Sequence, residues 1–218
     1  MHIVDHTGKF SEAQLDELRC FVTNDLLCTA TESLWLDVIR IRNDERADYF
    51  GYWSAEYSRD TQKDVQQPVK VSEIVAVIVL NYFYLKTLEK LKETLAHEYG
   101  HHWTLSYFLV NKGFDWSNQR IPKDYYQLRG LNSRDFSHDY SKGWHQCDRE
   151  IIAEDYRILF APEPYNKNHK VVEQSQKHTF SLQRNFFINF LKNFILRKKP
   201  ILPPDERIKN YIMGLKNP

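Results

Sequence analysis

Glycine is scarce in this chain, at 7 of 218 residues, and cysteine scarcer still, at 3. Few glycines beside 13 Tyr, 13 Phe and 5 Trp exclude a disordered or repeat chain and describe a packed globular one. Cys20, Cys28 and Cys147 are odd in number and widely spaced, which gives neither a disulfide framework nor a CxxC zinc knuckle. Buried structural thiols in a reducing compartment are the expectation for all three. A charge of one sign is also missing: 30 basic against 29 acidic residues leave a formal net charge of +1, so no whole-molecule field draws the chain to nucleic acid. Long apolar runs are absent too. The longest, IVAVIVL from Ile74 to Leu80, falls far short of the roughly 20 residues that a membrane helix needs. The first twenty residues alternate charged and apolar positions and offer no continuous apolar segment of the kind a secretory leader needs, so export by that route is not expected. These absences set the expectation of a cytoplasmic protein with no nucleic-acid and no membrane partner.

A chain of 218 residues suffices for one domain with a substantial core. Ser11 and Gln14 form a capping-box pattern, and Leu15, Leu18, Phe21 and Val22 recur at helical spacing, which predicts a first helix from Ser11 to about Cys28. SLWLDVIRIRN and DYFGYWSAEYS are rich in β-branched and aromatic residues and read as two strands paired with each other. RDTQKDVQQPVK is a loop, and SEIVAVIVLNYFYL, apolar on both faces, reads as a strand inside or beside a covered sheet, with a length that also allows a helix. From Thr87 to about Leu109 the period becomes helical. A long irregular stretch follows, of the length that is usually functional or holds short elements of its own. DREIIAEDYRILF is then a helix stopped by Pro162 and Pro164. Ser181 to Leu196 reads as an amphipathic helix and DERIKNYIMGL as a last short one. In LQRNFFINFLKNFILRKKP the apolar positions, from Phe186 to Ile195, read more simply as a face that docks on the core than as a basic helix for a membrane or nucleic acid. The order of elements is that of an α+β fold, read as a single domain over 1–218. About 1–86 supply a helix and the sheet, 87–161 the site and its loop, and 165–218 a mainly helical C-terminal part.

KETLAHEYGHHWTLSY, residues Lys92 to Tyr107, contains His97, Glu98 and His101 in the order HExxH. Residues four apart on a helix share a face, so both imidazoles can aim at one ion. Glu98 stands about 100 degrees round from His97, off the metal but within reach of a water beside it, as a general base must be. Gly100 costs about 1 kcal/mol of helix stability relative to Ala, which suggests a close backbone approach or a mere packing contact. Catalytic zinc needs a third protein ligand. The HExxHxxGxxH route is closed, because its last two positions are Thr104 and Tyr107. Another route runs through the second helix, where Glu150 can bind the metal and Glu154, one turn later, can accept the free ring N–H of a ligating His. The same pair also reads as the solvated face of an amphipathic helix.

Together HEYGHH and EIIAEDYRILF resemble the gluzincin metallopeptidases, in particular the group of the anthrax lethal factor catalytic domain and the small Pro-Pro endopeptidases. That group joins HExxH to an E-x-x-A-E-x-[FY] segment. The resemblance implies a zincin-like domain with a small mixed or antiparallel sheet on the HExxH helix, and a zinc-dependent endopeptidase acting on a peptide or protein substrate. It implies Zn2+ held by His97, His101 and Glu150, with Glu98 as general base and Glu154 as outer carboxylate. It also implies an edge strand that pairs with an extended substrate, a role falling to part of SEIVAVIVLNYFY. One departure stands out. The group commonly places a Tyr seven residues before the glutamate ligand, where this chain has Gly143, so Tyr140 and His145 become the candidate oxyanion donors, each also explicable as a loop residue. His102 is expected to pack or hydrogen-bond nearby. Intracellular ImmA-type proteases that cleave one repressor share the motif pair, and a non-catalytic zincin-like binding module is the remaining alternative.

Overall fold

The computed structural model describes residues 1–59, 71–114, 116, 119–132, 134–167 and 201–217. The chain divides into two compact units, Met1–Asn166 with Pro204–Pro218, and Lys167–Pro203; all described helices and strands belong to the first. The expected helix over Ser181 to Leu196 with its docking face, and the loop after Arg59, lie outside the described residues.

The architecture is α+β, with a mixed four-stranded sheet. Its strands are β1 (His2–Asp5), β2 (Leu36–Arg42), β3 (Gly51–Arg59) and β4 (Val71–Asn81), in the order β1-β2-β4-β3. β1, β2 and β4 are parallel, and β3 alone runs antiparallel, against β4. Two expectations are corrected here. The SLWLDVIRIRN and DYFGYWSAEYS strands do not pair with each other, because β4 lies between them. β4, rich in Ile and Val and carrying buried Ile74, Ala76, Ile78 and Leu80, takes the interior place such a run favours. It therefore cannot be the edge strand; β3 is terminal beside it and β1 at the other end. β1 escaped the sequence reading, four residues being too few for a period to register.

Ser11 caps α1 (Glu12–Cys20) through the expected reciprocal bonds with Gln14. The helix then widens into a π turn at Phe21–Asp25, and α2 (Ala30–Trp35) takes the first residues of the segment expected to begin β2. The long helix α3 (Leu88–Lys112), capped by Thr87, lies against the sheet, and its Leu91, Leu95, Tyr99 and Trp103 join Ile39, Ile41, Ile78 and Leu80 in one core. Burying each such aliphatic side chain contributes about 1.5–3 kcal/mol. α6 (Glu206–Gly214) docks on α3: Trp103 Nε1 donates to the Ile212 carbonyl at 2.9 Å and Asn111 Nδ2 to that of Leu215 at 2.6 Å. All three cysteines are free thiols, but only Cys147 is buried; Cys28 is half-buried and Cys20 exposed, against expectation.

The irregular stretch contains α4 (Lys123–Arg129) and short turns at Tyr140–Lys142 and Trp144–Gln146. α4 is tied to α5 (Asp148–Phe160) by a buried ion pair, in which Arg129 donates to both oxygens of Asp155 at 2.7 and 2.9 Å and Tyr125 adds a bond at 2.6 Å. Arg129→Met strands the buried Asp155 carboxylate, and urea unfolding is expected to register a loss of about 3–5 kcal/mol.

Candidate metal centre

α3 and α5 meet at Gly100. A Cβ there would fall 2.6 Å from the Ala153 carbonyl oxygen and 3.0 Å from its Cα, so the glycine is required by another backbone rather than by the helix. Gly100→Ala gains about 1 kcal/mol of helix propensity and then forces two backbones apart. The net is expected to be a destabilisation of about 1–3 kcal/mol, read from the denaturation midpoint.

This contact sets Glu150, three residues before Ala153, over the two histidines. Glu150 Oε2 lies 3.0 Å from His97 Nε2 and 3.3 Å from His101 Nε2, and all three candidate ligand atoms fall within 4.8 Å of one another. Ligands at 2.0–2.1 Å around a tetrahedral zinc stand roughly 3.3 Å apart, so the donor set fits the ion in both spacing and chemistry. Burial opposes charge on the His97 ring, but the carboxylates of Glu150 and Glu154 outweigh it and push the ring up to about 10. Burial likewise acts to raise Glu150, and the two histidines hold it well below the usual carboxylate range. The negative charge facing the ring nitrogens is what a divalent cation would meet.

Behind His97 a second layer is ordered. Glu154 Oε2 lies 3.2 Å from His97 Nδ1, and because an ionised carboxylate only accepts, both ring nitrogens carry protons here, Nδ1 toward Glu154 and Nε2 toward Glu150. Arg157, three residues on, donates to Glu154 through Nε at 2.9 Å and Nη2 at 2.5 Å and reaches the Tyr165 carbonyl through Nη1. Burial works to raise Glu154, yet Arg157 and His97 hold it down to about 2. The solvated-face reading of Glu150 and Glu154 therefore fails: Glu150 is 5% exposed, and Glu154 is shared between His97 and Arg157.

Glu98 points to the sheet side, beneath β3. A Cβ on Gly51 would lie 2.8 Å from Thr94 Cγ2 and 3.1 Å from Glu98 Oε1, so the strand passes directly over this helix face. The Phe50 carbonyl accepts from Asn81 N, which puts Tyr52 and Ser54 in the bonded pairs with β4 and turns the main-chain groups of Trp53 and Ala55 outward. The Trp53 N–H accordingly reaches the Glu98 carboxylate; burial still dominates and raises Glu98 above its usual range. The Trp53 indole N–H donates to His102 Nδ1 at 3.2 Å, and His102 Nε2 donates to the Glu32 carbonyl at 2.8 Å. Burial lowers His102 to about 4, so it is a neutral strut between β3 and α2, as its hydrogen-bonding expectation anticipated.

Of the two loop candidates, Tyr140 reaches the candidate ligands: its hydroxyl donates to Glu150 Oε1 at 2.7 Å. His145 is exposed in the next turn, edge-on to Trp144 and within electrostatic range of Glu154, and among the described residues no hydrogen bond joins it to His97, His101 or Glu150. Gly143, at φ 94°, links the two turns in a conformation the expected tyrosine would strain to adopt. Three contributors escaped the sequence reading. Arg157 was findable, since it sits at i+3 from Glu154 on a helix already identified. Trp53 and Trp144, whose ring stacks on His97 at 5.5 Å and 30°, were not, because neither placement follows from local periodicity.

No family model, no curated protein and no solved structure matches this chain. No helix among the described residues is long and apolar enough to cross a membrane.

Proposed function

We propose that this chain is a zinc-dependent endopeptidase of the gluzincin type, with a zincin-like fold, acting on a peptide or protein substrate. The observation that carries the reading is the convergence of His97 Nε2, His101 Nε2 and Glu150 Oε2, with Glu98 on the neighbouring helix face. His97, His101 and Glu150 would hold the metal, and Glu154 with Arg157 would orient His97. Bound zinc would supply Lewis acidity, lowering the pKa of a coordinated water and polarising the scissile carbonyl. Glu98 takes one proton from the attacking water and returns it to the amine nitrogen as the C–N bond breaks. A raised carboxylate suits that exchange, since it gives the proton up less readily to bulk water and holds it for the leaving group. The donor to the developing oxyanion comes from the 140–146 turn, where His145 and Tyr140 are the available groups.

The substrate would lie along β3. Ala55 and the alternate residues of β3 turn main-chain groups away from β4, and main-chain pairing binds extended peptides with little sequence demand. Protein purified without chelating resin is expected to hold about one zinc per chain and to cleave members of a peptide library. Absence of a bound divalent ion after zinc is supplied would sink the reading. Zinc without cleavage of any peptide or extract protein would favour a non-catalytic module, and cleavage of a single extract protein would favour a regulatory protease of the ImmA type.

A further inference from the structure

The two oxygens of Glu150 have different surroundings. Oε2 faces both ring nitrogens, at 3.0 and 3.3 Å, while Oε1 accepts the Tyr140 hydroxyl at 2.7 Å. We propose that Tyr140 is a positioning residue that confines Glu150 to metal ligation through one oxygen; the proposal rests on the metal-site reading above. A carboxylate can bind a cation through one oxygen or through both. The phenolic proton occupies Oε1, lowers its donor strength and fixes the plane of the carboxylate, so Oε2 alone is presented to the ion. One oxygen with two imidazoles makes three protein ligands and keeps the fourth tetrahedral position for water.

The frame around Tyr140 supports a fixed position for this hydroxyl. Ser137 N donates to the Gln146 carbonyl and Asp148 N to that of Ser137, both at 2.9 Å, which ties the start of the loop to the N-terminus of α5, the helix carrying Glu150. Ser137 Oγ donates to the Asp139 carbonyl at 2.7 Å, the Asp139 side chain accepts from Ser141 N at 3.1 Å, and Gly143 N donates to the Tyr140 carbonyl at 2.9 Å. Tyr140 is thus bracketed by main-chain bonds on both sides. Tyr140 is 58% exposed, and the hydrogen bond its hydroxyl makes among the described residues is the one to Glu150. A hydroxyl committed to the ligand leaves His145 as the donor to the substrate oxygen from this turn.

Tyr140→Phe removes the hydroxyl and keeps the exposed ring, so the fold is retained. Zinc affinity, measured by competition with a chromophoric chelator, is expected to weaken about 10–100-fold. The visible absorption of the cobalt-substituted variant is expected to lose intensity, the sign that four-coordination has given way to five as both oxygens of Glu150 bind. Unchanged affinity and unchanged cobalt bands would overturn the proposal: with hydrolysis lost, Tyr140 acts on the substrate, and with hydrolysis intact, it is a surface residue. Weakened affinity with unchanged bands would also overturn it, because the hydroxyl would then support Glu150 without setting how it binds. A wild-type protein that takes up neither ion defeats the metal-site reading itself, an outcome visible before any variant is made.

Discussion

Glu98→Gln is expected to lower hydrolysis by about 10²–10⁴-fold while the zinc content stays at that of the parent. Gln matches Glu in shape, and its carbonyl oxygen can still accept the Trp53 N–H that reaches this side chain. What it loses is the capacity to take a proton. Burial already raises the Glu98 carboxyl, so a neutral amide in its place relieves a desolvation cost, and the variant should unfold at the same temperature as the parent or higher. Loss of activity with unimpaired stability and metal therefore isolates proton transfer from folding. A fully active Glu98→Gln protein would sink the mechanism, and the site would then need another base.

Glu150→Ala is expected to weaken zinc binding on the order of 10³-fold, if an affinity of about 10–16 kcal/mol is divided among three or four ligands. Its effect should exceed that of removing Tyr140 or Arg157, which act through Glu150 and Glu154. The measurement is zinc competition on the purified variant, beside zinc content after dialysis. Unaltered affinity would mean that another residue completes the set. Thermal unfolding adds a second reading: Glu150 balances the charge pushed onto His97 and is buried beside both histidines, so metal-free parent and variant should differ at neutral pH even before zinc is added.

Several parts of the site were legible because they are encoded locally. His97, Glu98 and His101 share a helix with strong apolar periodicity, so their relative placement follows from 3.6 residues per turn. Glu150, Glu154 and the overlooked Arg157 follow from the same rule on α5. Gly100 signalled a close approach, and the structure supplies Ala153 as its partner. The conflict between a good helix and a poor helix former was itself the information. The 111–147 stretch was opaque for the opposite reason. α4 is seven residues long, the turns around Tyr140 and Trp144 have no period, and their conformations are set by capping bonds and by Arg129, Asp155 and Glu150.

By itself the sequence determined the longer helices and strands, the α+β class, and the two helix faces that carry the candidate ligands, since these depend on short-range periodicity and capping. Only the tertiary structure decided that β4 is interior and β3 terminal, and that β3 therefore brings Gly51 and Trp53 over Glu98. It alone decided that Oε2 of Glu150 meets two imidazoles while Oε1 meets Tyr140. Strand order and the crossing of two helices are settled by contacts between residues far apart in the chain, and a local period carries no record of which distant partner will satisfy it.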